Sequence, residues 1–283
     1  MLRAQRLRVL GILNVTPDSF SDGGHYLDVR AAVTHAHDLR AAGADAIDIG
    51  GESTRPGAAE ISVDEELARV VPVLDELRRD GLPISIDTRR HEVARAAADR
   101  GATMLNDTAA LRDDSRLAVL AAERELTVVL MHRQGRPLTM QVAPRYTDLL
   151  NDVRGFFAER VAAALAAGIR RDRLVLDPGL GFGKSREDNY RLMAHLDYLA
   201  VEDLPMMVGA SRKSFLRQPP FAVPRGNDGD GAPPSERLPA SLAFVAAAYV
   251  LGASWVRVHD VAATVRLIET LSAIALSRAE ELR

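Results

Sequence analysis

The sequence predicts an α/β fold, a single-domain (β/α)8 TIM barrel over residues 1–283, on three observations. Apolar runs that read as strands alternate eight times with amphipathic helical patterns, over a length that favours a closed barrel over a doubly wound open sheet. Five helical patterns run into glycine, at Gly43, Gly81, Gly101, Gly168 and Gly252, the residue that most easily ends a helix in a left-handed turn. Almost every strand run ends on a polar or charged side chain. In a barrel those ends converge on the face where active sites of this fold lie.

Taken in order, the first strand run, 8–15, is stopped by Asn14 and Pro17 and leads to the helical pattern 29–42. Strand runs 45–50, 83–88, 103–106 and 126–132 follow, each handing over to a helical pattern, at 63–79, 91–100, 117–123 and 149–167. The sixth run, 174–177, is three apolar residues and Asp177, closed by Pro178 and Gly179 and followed by helix 189–196. Runs 205–211 and 255–259 complete the eight, with helices 238–251 and 262–281. The stretch 217–237, with five prolines and the run 226–231 rich in Gly, Asn and Asp, reads as disordered linker.

Composition narrows the function. A chain that is 47% hydrophobic and 27% charged, with a formal net charge of -3, suits a globular protein with a sizeable core. The near-neutral balance argues against a nucleic-acid partner. With no cysteine, disulfides, thiolate metal sites and a Cys nucleophile are excluded. The most apolar segment, 240–256, is broken by Gly252 and falls short of a membrane span, and the short N-terminal apolar run is badly flanked for a signal peptide. No membrane partner and a cytoplasmic location are expected. Of 36 basic residues only Lys184 and Lys213 are lysine, which marks both as places that need a compact ammonium instead of a planar guanidinium.

The strand ends supply Asn14, Asp48, Asp87, Asn106, His132, Asp177, Ser211 with Lys213, and Arg257 with His259. Eight such ends are too many to be helix caps alone. Carboxylates and amides suit a flat heterocycle with several N–H donors, and clustered cations beside Ser53 and Thr54 suit a phosphate or pyrophosphate. The loop 177–184, DPGLGFGK, is neither a phosphate loop, which needs glycine at Pro178, nor a dinucleotide fingerprint, which needs one at Lys184. Loops 16–24 and 50–57 are candidate lids. No His, Asp and Glu set has metal-ligand spacing: His35 and His37, two apart, face apart on a helix.

These motifs, taken together, resemble the dihydropteroate synthases: GILNVTPDSFSDGG at 11–24, DIGGESTRPG at 48–57, SIDT at 85–88, DPGLGFGK at 177–184, GASRKSF at 209–215 and RVHD at 257–260. The resemblance implies a folate-pathway transferase, a sulfonamide target, that joins 4-aminobenzoate to 6-hydroxymethyl-7,8-dihydropterin pyrophosphate and releases pyrophosphate. It implies a pterin pocket of Asp87, Asn106, Asp177, Lys213 and Met131, and a pyrophosphate site of Asn14, Arg55, Arg257 and His259. It further implies an aminobenzoate site of Phe20, Thr54, Arg55, Pro56, Phe182, Lys213 and Ser214. Asp87, Lys213, Arg257 and Asp177 are the expected catalytic set, Asn14 the expected Mg²⁺ contact, and a homodimer the expected assembly. A non-catalytic pterin-binding paralogue and a pterin-dependent methyltransferase are the alternatives. The family's fifth-strand motif reads Met-His-Met-Gln-Gly, whereas this chain has MHRQG at 131–135, and Arg133 is read as a solvent-facing substitution.

Overall fold

A computed structural model of the protein describes residues 6–16, 24–53, 60–135, 140–220, 233 and 236–281, with the backbone alone at 24–28 and 278–281. Strands and helices alternate as β1 (Arg8–Asn14), α1 (Gly24–Ala41), β2 (Ala46–Gly50), α2 (Val63–Leu77), β3 (Ile84–Asp87), α3 (His91–Ala98), β4 (Met104–Asp107) and α4 (Arg116–Glu123). The order continues through β5 (Thr127–Met131), α5 (Leu149–Ala166), β6 (Leu174–Asp177), α6 (Arg186–Ala194) and the short α7 (Leu196–Leu199). It ends with β7 (Met207–Val208), α8 (Leu238–Val250), β8 (Trp255–Val258) and α9 (Val261–Glu281).

The eight parallel strands follow the order β6-β5-β4-β3-β2-β1-β8-β7, and a bridge from Leu176 to Met206 brings the two ends of the sheet together. The (β/α)8 architecture is therefore as expected. Period-two alternation within each strand divides the side chains between two environments. One set packs inside the barrel as a small apolar plug of Leu10, Ala46, Met104, Val129, Val175, Met207 and Trp255. The other, including Val9, Leu13, Ile47, Ile49, Ile84, Leu105, Val128 and Leu176, meets the helices in the larger core. The Arg8 guanidinium lies 5.0 Å over the Trp255 ring at the amino end of that plug.

Helix boundaries follow local chemistry. Helix α2 starts where the Ser62 hydroxyl accepts the Glu65 amide, and α5 where Asp148 accepts that of Asn151. Helix α6 begins at Arg186, ahead of the 189 expected, because Ser185 and Asp188 form a reciprocal capping box. Strand β7 is shorter than the 205–211 run, its ladder pairing only Met207 and Val208 with β8. A β-carbon on Gly209 would lie 3.7 Å from Arg257 Cβ and 3.8 Å from Asp177 Oδ2. Most of the proline-rich stretch lies outside the described residues, but Arg237 at its end is buried and donates to the Arg212 carbonyl at 2.9 Å.

Candidate active site

The carboxyl ends of the strands gather a polar cluster above the apolar plug. Arg257, on β8, is held between two carboxylates: its Nε donates to Asp48 Oδ2 at 2.6 Å and its terminal nitrogen to Asp87 Oδ2 at 2.7 Å. The same Asp48 oxygen accepts from Asn106 Nδ2 at 3.0 Å. The Asp48 carboxylate thus ties β2, β4 and β8 together, and Asp87 brings in β3 through Arg257. Burial works against the Arg257 charge, yet Asp48 and Asp87 together raise its pKa above the ordinary guanidinium value. Burial pushes the Asp87 carboxyl upward, Arg257 opposing and Asp48 adding to the rise.

The second half of the cluster is built on β6 and β7. Asp177 ends β6, and its Oδ1 accepts the Gly179 amide at 2.7 Å. Burial raises its pKa, against the pull of Lys213. Lys213, half-buried after β7, donates to the Leu180 carbonyl, and its ammonium sits 4.3 Å over the Phe182 ring. Burial draws Lys213 down to about 8, with Asp177 acting to restore it. Met131 is buried at the end of β5, in register with Asp177.

Other expected residues occupy the rim. Asn14 is half-buried at the end of β1. His259, just past β8, shares a 3.0 Å hydrogen bond with the Ser211 hydroxyl through Nδ1, and its amide donates to the same oxygen at 3.2 Å. Ser214 is exposed and lines a cleft of about 490 Å³ with Gly181, Lys184 and Ser185 on one wall and Phe215, Arg217 and Gln218 on the other. Phe20, Thr54, Arg55 and Pro56 lie outside the described residues. The base of the second loop is described: Glu52 pairs with Arg89 at 3.4 Å and with Arg90 at 3.1 Å, and Arg90 also grips Glu66.

Two residues stand differently from the sequence reading. Arg133 is not solvent-facing: its side chain is 5% exposed and donates to Asp113 at 3.2 Å. Its carbonyl accepts from Arg112, itself stacked at 4.8 Å on Phe156. An arginine at this place in β5's exit loop is accommodated because Asp113, twenty positions back, turns in to meet it. Asp48 is more than one polar strand end among eight: it holds both Arg257 and Asn106, and the sequence hides this because Arg257 is 209 positions away.

No three His, Asp or Glu side chains cluster as a metal site among the described residues. Asn14, at the end of β1, carries one hard amide oxygen of the kind a magnesium ion takes.

The chain matches the family of pterin binding enzymes over residues 10–259. It is 48% identical to the dihydropteroate synthase of Escherichia coli (strain K12), over 94% of this chain and 90% of that one. A structure of Xanthomonas albilineans dihydropteroate synthase with 4-aminobenzoic acid superposes with a TM-score of 0.85 at 45% identity, covering 96% of this chain and 94% of that one. The same enzyme in complex with 7,8-dihydropteroate superposes at 0.82 with 43% identity, covering 96% and 95%. With eight parallel strands, polar residues at their carboxyl ends and these similarities over nearly its whole length, the chain belongs to the dihydropteroate synthase family.

Proposed function

We propose that this protein condenses 4-aminobenzoate with 6-hydroxymethyl-7,8-dihydropterin pyrophosphate to give 7,8-dihydropteroate and pyrophosphate. The observation that carries the reading is the meeting, at one barrel mouth, of acceptors suited to a pterin edge with cations suited to a pyrophosphate. Asp177, Asn106 and Asp87 are the acceptors, and Lys213 and Arg257 the cations.

The pterin ring has a 2-amino group and a ring N–H side by side, and Asp177 is buried with Oδ2 available beside the Oδ1 that holds Gly179. Asn106 and Asp87 serve the rest of the ring edge, Lys213 its carbonyl side, and Met131 packs beneath. The C–O bond between the pterin methylene and pyrophosphate then breaks, and pyrophosphate leaves with the electron pair. Arg257 and His259 hold the departing anion, together with Arg55. The methylene left behind is cation-like, and the Asp87 carboxylate stabilises it. The aminobenzoate nitrogen donates its lone pair to that carbon and loses a proton, which completes the new C–N bond. Phe182, Ser214 and Lys213, with Phe20, Thr54 and Pro56, orient the aminobenzoate. Exclusion of water matters because water would trap the same cation.

Asn14 suits a Mg²⁺ carried in by the pyrophosphate: it supplies one oxygen ligand, as expected of an ion that keeps most of its shell from phosphate and water. Bound there, magnesium would neutralise charge on the leaving pyrophosphate. A cytoplasmic homodimer completes the reading. No helix among the described residues is long and apolar enough to cross a membrane. Sedimentation of the purified protein tests the assembly.

Incubating the protein with pterin pyrophosphate, 4-aminobenzoate and Mg²⁺ tests the reaction. Dihydropteroate and pyrophosphate are expected in equal amounts. Pterin binding without product would make the chain the non-catalytic paralogue instead.

A further inference from the structure

The loop 179–183 has an uncommon property: each of its five consecutive carbonyls accepts a hydrogen bond from a side chain. Lys184 Nζ donates to the carbonyls of Gly179 and Phe182, both at 3.0 Å. Lys213 takes that of Leu180, Gln141 that of Gly181, and the Tyr146 hydroxyl that of Gly183 at 2.7 Å. From the other end of the loop, Gly181's amide donates to Asn189 Oδ1 at 2.6 Å. Lys184 and Lys213 are also the chain's only lysines among 36 basic residues, and both grip this one loop.

Lys184 does more than close the loop. Its ammonium is buried and also bonds the end of β5, to His132 Nδ1 at 3.0 Å and the His132 carbonyl at 3.3 Å. Four acceptors from two segments therefore converge on one nitrogen. An ammonium can serve such a point, whereas a guanidinium spreads its donors across a plane. The fit between loop and strand end is close enough to require glycine: at Gly179, with φ of 63°, a β-carbon would lie 2.0 Å from the His132 carbonyl oxygen. Gly179 is also the residue whose amide holds Asp177, and Phe182 the one beneath the Lys213 ammonium.

We propose that Lys184 is a positioning residue for both organic substrates: its compact ammonium, backed by Tyr146, pins the 177–184 loop to the end of β5, so that Asp177 is set for the pterin and Phe182 for the aminobenzoate. The inference rests on the synthase reading for the identity of the substrates, but not for the pinning itself. Lys184 touches no substrate in this scheme. It acts through Gly179 on Asp177 and through Phe182 on the aminobenzoate side.

The test compares wild type, Lys184→Met and Lys184→Arg by calorimetric titration with 6-hydroxymethyl-7,8-dihydropterin, steady-state kinetics and melting curves. Both variants are expected to bind the pterin at least tenfold more weakly at temperatures where they are folded, and to raise KM for 4-aminobenzoate. Pterin affinity within twofold of wild type in folded Lys184→Met, even with a lowered melting temperature, would reduce Lys184 to a structural residue and overturn the proposal. Wild-type affinity in Lys184→Arg would overturn the need for a compact ammonium. If Lys184→Met does not fold, Tyr146→Phe takes its place, removing a single tether. A severalfold loss of pterin affinity is expected there, and unchanged affinity counts against the loop's tethers setting the site. A wild type that binds pterin but makes no dihydropteroate would remove the synthase reading, while the binding comparison would still decide the pinning.

Discussion

The two sides of the barrel mouth are held by different kinds of bond. Toward β2, β3, β4 and β8, side chains hold side chains: Asp48 joins Arg257 to Asn106, and Asp87 takes the other arm of Arg257. Toward β6 and β7, side chains hold backbone, with Lys184 and Lys213 fastened to the carbonyls of one loop. The first arrangement can exchange partners, since an arginine shared by two carboxylates has a guanidinium face that an anion can claim. The second is set before any ligand arrives. A departing pyrophosphate suits the adaptable side, and a flat ring read by its hydrogen-bonding edge suits the rigid one, with Asp87 and Asn106 facing it from across the mouth. Preorganised polar groups are the more effective because they need no rearrangement during the reaction.

Breaking the ionic side should have the largest effect. Arg257→Leu leaves Asp48 and Asp87 buried without their shared cation, and loss of one partner from a buried ion cluster costs about 3–5 kcal/mol. Denaturant unfolding at neutral pH is expected to show that loss, with turnover abolished as well. Little change in stability would mean that the two carboxylates find other partners.

On the rigid side, Lys213→Arg is expected to lower turnover by roughly 10²-fold with the fold intact, the scale of losing one positioned donor. Gly181 makes way for the Lys213 stem, whose Cδ lies 2.9 Å from where a β-carbon there would sit, and a guanidinium would spread its donors over a plane where the ammonium meets the Leu180 carbonyl at one point. Steady-state kinetics and a melting curve check it, and near-normal turnover would show that charge alone suffices.

Acid separates two groups of the barrel mouth, His132 and Asp87, which respond with opposite sign. Burial, and next the Lys184 charge, hold the His132 imidazole down to about 2, against an ordinary value of 6.5. Below pH 6.5 the unfolded chain therefore takes up a proton that the native chain refuses, and stability falls by up to about 1.4 kcal/mol per pH unit. Asp87 is raised instead, so its native form accepts a proton before the unfolded chain does, and that contribution improves as pH falls toward the ordinary 3.8. Melting temperatures from pH 7 to 5 should fall more steeply in wild type than in His132→Gln. Parallel curves would show that His132 is not the group responsible.

The barrel was legible because β/α alternation, glycine stops and polar strand ends are local signals. Asp87, Asn106, Asp177 and Arg257 could be named from the sequence for the same reason, each lying in or at the end of its strand. The pairing of these groups was not legible. Asp48 and Arg257 are 209 positions apart, and only barrel closure makes them neighbours. Lys184 could be marked as a place for a compact ammonium, but its partners could not, since two of the four acceptors around it belong to His132, 52 positions away. Arg133 was misread because a charged residue in a strand's exit loop is usually exposed, and Asp113 gave no local sign of waiting for it. The early start of α6 could have been found, since Ser185 and Asp188 stand at capping-box spacing.

Asp177 is the carboxylate at the rigid side's centre. In Asp177→Asn the amide oxygen can still accept the Gly179 amide, as Oδ1 does now at 2.7 Å, so the loop and the fold should survive. The amide's N–H₂ would then face the N–H donors of the pterin in a desolvated site. Each unpaired group there costs about 1–3 kcal/mol. Titrating 6-hydroxymethyl-7,8-dihydropterin into wild type and Asp177→Asn by calorimetry, with a melting curve beside it, measures this directly. Affinity is expected to fall by roughly 10²-fold or more, each 1.4 kcal/mol being tenfold, at little change in melting temperature. Wild-type affinity in a folded Asp177→Asn protein would remove Asp177 from the pterin site and contradict the placement of the ring.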